Sequence, residues 1–177
     1  ILYGLCEPDQ GKIFIDGQPV AINSPKDAIS FGIGMVHQHF KLIPPLTVTE
    51  NVVLGMKQDR YSLKTRFCGK DLVFRSPLLD TKTAEQKIWS LSECFGLSVN
   101  PRARIRDLAV GVRQRVEIIK ALYRNAELLI LDEPTSVLTP QETRDFFDIL
   151  KTLVKQGMSV IFITHKLKEV LAVADRI

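Results

Sequence analysis

Two acids side by side at the end of an apolar run are the strongest chemical signal in this sequence. Leu128-Leu129-Ile130-Leu131 leads directly into Asp132-Glu133. A short apolar run of this kind forms a buried strand, and burial of the strand fixes where its tip lies. Successive strand residues point to opposite sides, so the two acids take different tasks. One suits a phosphate-bound Mg2+, and the other faces an attacking water. Alone, the pair also fits solvated acids at a strand-to-turn junction. Leu108 to Val116 opens a helix with Gly111, Arg113 and Arg115 near its start, where backbone N–H groups favour anions. Alone, it is an amphipathic helix with a basic first turn. Gln38 and His165 each follow an apolar run. Singly they read as a loop amide and a helix-capping imidazole. His37-x-His39 is a metal-like pair with no further ligand near it.

The elements that must position these residues can be read outward from them. Glu127 to Leu131 predicts a strand, and Val112, Val116, Ile119 and Tyr123 predict a helix before it. Thr139-Pro140-Gln141-Glu142 combines a capping box with proline at the first helical position, and this helix should stop at Gly157. A strand over Val160 to Ile163 and a helix from Lys166 to Ala174 follow. Such alternation implies a parallel sheet with helices on its faces, where chemistry collects at the carboxyl ends of strands. Gln38, Asp132-Glu133 and His165 all fall at such ends.

The first part of the chain is built from shorter pieces. Ile1 to Tyr3 followed by Gly4 reads as the last turn of a helix. Lys12 to Ile15 and Pro19 to Ile22 flank Asp16-Gly17, which predicts an antiparallel hairpin. Ser24-Pro25 caps a short helix ending at Gly32, and Ile33 to Val36 suits a buried strand. Thr47-Val48-Thr49-Glu50 is a second capping box, opening a helix that runs to Gly55. Lys57 to Thr83 lacks steady periodicity and reads as a surface excursion. Ala84 to Phe95 is helical, with Gly96 as its stop.

Composition narrows the class. The chain has 177 residues, 45% apolar and 25% charged, which fits one globular domain and neither disorder nor a fibrous repeat. The longest stretch free of Asp, Glu, Lys and Arg, Ala28 to Phe40, is too short and too polar to span a bilayer. A net charge of +4 does not announce a nucleic-acid partner, and none is expected. Cys6, Cys68 and Cys94 are odd in number and far apart, which argues against a disulfide framework or a zinc site and for a reducing compartment.

Taken in order, these residues resemble the ATP-binding cassette family of transport ATPases over nearly the whole chain. Met35 to Phe40 resembles the Q-loop, Leu108 to Val116 the signature segment and Leu128 to Pro134 the Walker B strand. Ser136 to Thr139 holds the D-loop position and His165 that of the switch histidine. The strings MVHQHF, LTVTENVVLG, VEIIKALYR and FITHKLKEV are similar to cassettes of simple-sugar and nucleoside importers. The resemblance implies an α/β fold of the P-loop NTPase type: a mainly parallel sheet, an antiparallel hairpin and a helical subdomain over about residues 43–125. It implies ATP and Mg2+ as cofactors, Asp132 orienting the metal and Glu133 acting as general base. Gln38 would touch metal or water while sensing the permease, and His165 would hydrogen-bond the γ-phosphate. Ala109, Val110, Gly111, Gln114, Ser136 and Thr139 would face nucleotide bound by a second cassette, in the same chain or in a dimer. Expected partners are transmembrane permease subunits and, indirectly, a substrate-binding protein, with the protein peripheral to the cytoplasmic face of the membrane.

The sequence departs from the family pattern in three ways. No Gly-x-x-x-x-Gly-Lys-Ser/Thr phosphate loop is present: Gly11-Lys12 and Gly69-Lys70 lack both the spacing and the hydroxyl. The expectation is that the loop lies upstream of Ile1, that the sequence is a fragment at both ends, and that these 177 residues alone hydrolyse little ATP. Ala109 stands where the family has its signature serine, with Val110 and Val112 for Gly and Gln. Thr139 stands where the D-loop usually has Asp. Two other readings therefore stand beside the importer ATPase: a catalytically silent cassette that supports a partner, and a soluble cassette ATPase outside transport.

Overall fold

The computed structural model describes residues 1–56, 63–67, 70–74 and 81–177, the strands at 63–67 and 70–74 through their backbone. Three parallel strands form its centre, β3 (Ile33–Val36), β6 (Leu128–Asp132) and β7 (Ser159–Ile163), in the order β3-β6-β7. Val36 lies beside Leu131, and Leu131 beside Phe162. All three strands therefore end along one edge of the sheet, and the segments carrying Gln38, Glu133 and His165 leave from that edge.

The pleat of β6 sorts its side chains between two cores. Leu129 and Leu131 join the larger one. It includes Val116, Ile119 and Leu122 of α4 (Val110–Tyr123) and Phe146, Leu150 and Leu153 of α5 (Pro140–Lys155). Ile130 points the other way, into a small cluster with Ile22, Ala28 and Ile33. β7 is covered on one face only: Val160 and Phe162 pack on the larger core, whereas Ile161 and Ile163 are 36% and 46% exposed. The close fit of α4 on β3 requires a glycine, because a Cβ at Gly34 would stand 2.8 Å from the Ala121 Cβ.

Local chemistry explains the boundaries. β1 (Ile13–Ile15) and β2 (Gln18–Val20) pair antiparallel, and Asp16 and Gly17 both have positive φ, 49° and 76°, as a twisted two-residue hairpin turn demands. β2 stops at Val20, short of the expected Ile22. α1 (Pro25–Ser30) takes its cap from the Ser24 hydroxyl. Both capping boxes are formed, Thr47 with Glu50 at the start of α2 (Val48–Val53) and Thr139 with Glu142 at the start of α5. At the beginning of the chain, Ile1 to Gly4 makes a turn closed by a Gly4 N–H to Ile1 carbonyl bond of 2.8 Å.

Three features differ from the sequence reading. α3 (Thr81–Cys94) begins three residues before Ala84. Within the segment read as an excursion, β4 (Leu63–Phe67) and β5 (Lys70–Phe74) pair antiparallel; Lys70-Asp71 followed by Leu72-Val73-Phe74 gives no steady alternation to read. Cys6 is free, but Cys94 is disulfide-bonded. An odd count and wide spacing do not prevent one pair from meeting in space, so cysteine usage gives no ground for a reducing compartment. α6 (Leu167–Val173) closes the chain. Among the described residues no helix is long and apolar enough to cross a membrane.

Candidate active site

Glu133 sits one residue beyond β6, and its direction is set by a turn rather than by the pleat. Its φ is +46°, a left-handed conformation rare for a side chain of this size and characteristic of functional positions. Its own backbone partners hold it there. The N–H donates to the Ile163 carbonyl at 2.9 Å, and the carbonyl accepts from the Ser136 N–H at 3.1 Å. Only Asp132 belongs to the strand, so the pleat does not set the direction of Glu133 relative to it.

The Glu133 carboxylate gathers two of the residues predicted for the site. Gln38 Nε2 donates to Oε2 at 3.0 Å, and His165 Nδ1 lies 2.9 Å from Oε1. Each oxygen thus has one side-chain partner, supplied from a different strand end. The glutamate side chain is 29% exposed and the histidine 69%, so the cluster opens to solvent and can be reached by a ligand. With Glu133 ionised, the His165 ring donates through Nδ1–H, and in its neutral form Nε2 is then a bare acceptor. Donation from Nε2 to a phosphate requires the doubly protonated ring or release of Nδ1 from Glu133.

Asp132 is half-buried at the end of β6, and its carboxylate makes no hydrogen bond or ion pair among the described residues. No cluster of three or more His, Cys, Asp and Glu able to hold a metal occurs among them. This donor set suits a Mg2+ that arrives on phosphates and keeps its waters, because such an ion takes only one or two protein carboxylates. His37, next to Gln38, packs edge-on against Tyr3 at 5.8 Å. Burial and then Lys41 push its pKa below the usual value, opposed in part by Glu117 and Asp132, so it stays neutral near pH 7.

The start of α4 is built differently. Ala109 is its N-cap and provides no side-chain cap, and Ala109 and Val110 are exposed while Gly111 is half-buried. Glu142 lies close by: a Cβ on Gly111 would stand 3.0 Å from its Oε1. Thr139, through its backbone N–H and its hydroxyl, holds the Glu142 carboxyl below the usual range, with help from Arg115 and the Gly111 N–H. Gln114 faces inward, 1% exposed, and donates to the Pro134 carbonyl at 2.7 Å. It braces the turn after Glu133 within its own chain. Ser136 is exposed, and the Thr139 hydroxyl is engaged by Glu142 at 2.8 Å.

A second cluster beside the first was missed from sequence. Glu169 of α6 is buried and accepts from the hydroxyls of Thr135 and Thr164 while pairing with Lys166 at 3.1 Å. Helical periodicity hides it, because α6 exposes Leu167 and Leu171 and buries the acid. Apolar patterning assigns those faces the other way round.

Comparison with known proteins gives the family and the fold. The profile of the ABC transporter family matches residues 1–136. The chain is 51% identical over 177 residues to the nucleoside import ATP-binding protein NupA of Lactococcus lactis, covering 100% of this chain and 32% of that protein. It is 47% identical over 192 aligned residues to the glucose import ATP-binding protein TsgD13 of Haloferax volcanii, covering 100% of this chain and 34% of the relative. The chain thus spans about a third of the length of these curated relatives. The crystal structure of a nucleotide-free ATP-binding cassette from an ABC transporter superposes with a TM-score of 0.73 at 22% identity, over 98% of this chain and 67% of that one. At that identity the likeness is one of fold.

Proposed function

The chain belongs to the ABC transporter family, and on that premise we propose that it is part of the ATP-hydrolysing subunit of an importer for nucleosides or simple sugars. The observation that carries the reading is the convergence of Gln38 and His165 on Glu133 at the edge where all three strands end. A carboxylate at the mouth of an open cluster is placed to take a proton from water, the task of a general base in phosphoryl transfer. His165 orients that carboxylate through Nδ1, and to donate from Nε2 to the terminal phosphate it releases Nδ1 from Glu133 or takes a second proton. Gln38, one residue past His37 and exposed, lies between the base and the protein surface, where it can report the state of the site to a permease.

Asp132 would hold the Mg2+ of the nucleotide, which supplies neutralisation of phosphate charge during transfer. Ala109, Val110, Gly111, Ser136 and Thr139 would face the nucleotide of a second cassette. Gln114 acts in this chain by bracing Pro134, so its share in the opposite site is indirect. The partners are a transmembrane permease and, through it, a substrate-binding protein, with the cassette peripheral to the cytoplasmic face. The named relatives import a nucleoside and glucose, and nothing in the Glu133 cluster distinguishes these cargoes.

The test is ATP-dependent uptake by the full-length protein assembled with its permease in vesicles, with labelled nucleosides and sugars in separate arms. Uptake of one class with Mg2+-dependent ATP hydrolysis is expected. ATP binding without hydrolysis would favour the silent-cassette reading, for which the missing hydroxyl at Ala109 speaks. Hydrolysis that is indifferent to the permease would favour a soluble ATPase.

A further inference from the structure

Two loops have to keep a fixed separation if Glu133 and His165 are to stay 2.9 Å apart. One leaves β6 and the other leaves β7, and the contact between the two side chains is exposed at the histidine end. Strand pairing and the Glu133 N–H to Ile163 carbonyl bond align the two backbones up to Glu133, but beyond them a single hydrogen bond in water contributes only about 1 kcal/mol, too little to fix the loops. A buried fastening lies behind it.

Glu169 Oε2 accepts from the Thr135 hydroxyl and, at 3.2 Å, from the Thr164 hydroxyl. Its Oε1 pairs with Lys166 Nζ at 3.1 Å, and the same ammonium donates to the Thr135 carbonyl at 3.2 Å. Thr135 lies two residues after Glu133 and is 1% exposed; Glu169 is 9% exposed. Thr164 and Lys166 flank His165 on either side. One carboxylate and one ammonium therefore tie the segment carrying the base to both neighbours of the histidine. A buried charge costs several kcal/mol unless its partners are complete, and here both oxygens are engaged. The cluster constrains the two loops for the same reason, because displacing either one leaves a buried oxygen of Glu169 without a partner.

We infer that Glu169 is a positioning residue for ATP hydrolysis, setting the separation of Glu133 and His165 by clamping Thr135 to the Thr164–Lys166 segment. The inference rests on the functional reading above. It acts through geometry, so loss of the clamp slows turnover and leaves nucleotide binding nearly intact.

The test uses Glu169→Gln in the full-length ATPase with its permease. This change keeps the volume and removes the charge. Turnover should fall about a hundredfold, the effect of an ångström-scale misplacement, with KM for ATP changed less than about threefold. In a His165→Ala background the same substitution should cost nothing further, since the two act as a unit. Unchanged turnover, or an equal loss in both backgrounds, overturns the clamp. Should the glutamine variant fail to fold, Thr135→Val removes one hydroxyl and faces the same criteria. If the wild type hydrolyses no ATP, the functional reading fails by itself, and a crystal structure of Glu169→Ala then decides the geometry. Separation of Glu133 from His165 supports the clamp, and an unaltered contact overturns it.

Discussion

The ends of the parallel strands and the start of α4 are two regions of one small molecule that satisfy their polar groups in opposite ways. At the strand ends, three segments distant in sequence converge on one carboxylate, and both its oxygens are met within the chain. At the start of α4, the cap residue has no hydroxyl and two of the first three residues are exposed. The first region is complete by itself, while at the second the Gly111 N–H is met by Glu142 of another helix. Sheet register explains the contrast. Backbone pairing aligns the strand ends to within a residue, whereas a helix start is positioned by its cap, and here the cap has been lost.

This contrast predicts unequal sensitivity. His165→Ala should lower ATP turnover by the full-length protein about a hundredfold, as expected when the group that orients the base is lost and the base is misplaced by about an ångström; steady-state kinetics measures it, and a loss below about threefold would break the comparison. At α4 the change should run the other way. Ala109→Ser restores a cap and a hydroxyl to the open helix start. It should raise the rate in the assembled transporter about tenfold, the effect of one hydrogen bond to a charged group at about 1.5 kcal/mol. No gain would mean that the backbone N–H groups suffice.

The far end of α4 offers a smaller effect. Lys87 of α3 donates to the Tyr123 carbonyl at 3.0 Å and lies over the Tyr123 ring at 4.2 Å, and burial lowers its pKa from 10.5 to about 8. Between those values the unfolded chain binds the proton more often than the folded one. The penalty of a buried ammonium is thus fully present below about pH 8 and is relieved as pH rises toward 10.5. Wild type should therefore gain about 1 kcal/mol per pH unit relative to Lys87→Met across that window, measured by denaturant titration. A constant difference would place the ammonium in water.

Much of this arrangement was legible in the residues. Asp16-Gly17, Ser24-Pro25 and the capping boxes at Thr47 and Thr139 act over four residues or fewer, so composition alone specifies them. The apolar runs before Gln38, Glu133 and His165 marked the strand ends, because burial of a strand is written in its side chains. What pairing in space decides was not legible. Gln114 turns inward to Pro134 although its helix is otherwise basic at the start. Glu169 is buried between exposed leucines, against the apolar pattern, because its partners lie on another loop. Cys94 found a disulfide partner that spacing did not reveal, and β4 and β5 paired in a stretch without clear periodicity.

The central claim is that the Glu133 carboxylate takes the proton from the attacking water. Glu133→Gln in the full-length protein keeps the side chain's size and one acceptor oxygen for its two neighbours but removes the base. The direct measurement is the chemical identity of the nucleotide retained after this variant is incubated with Mg2+ and labelled ATP. The account predicts ATP, held without turnover; ADP in the amount found with the wild type would contradict it.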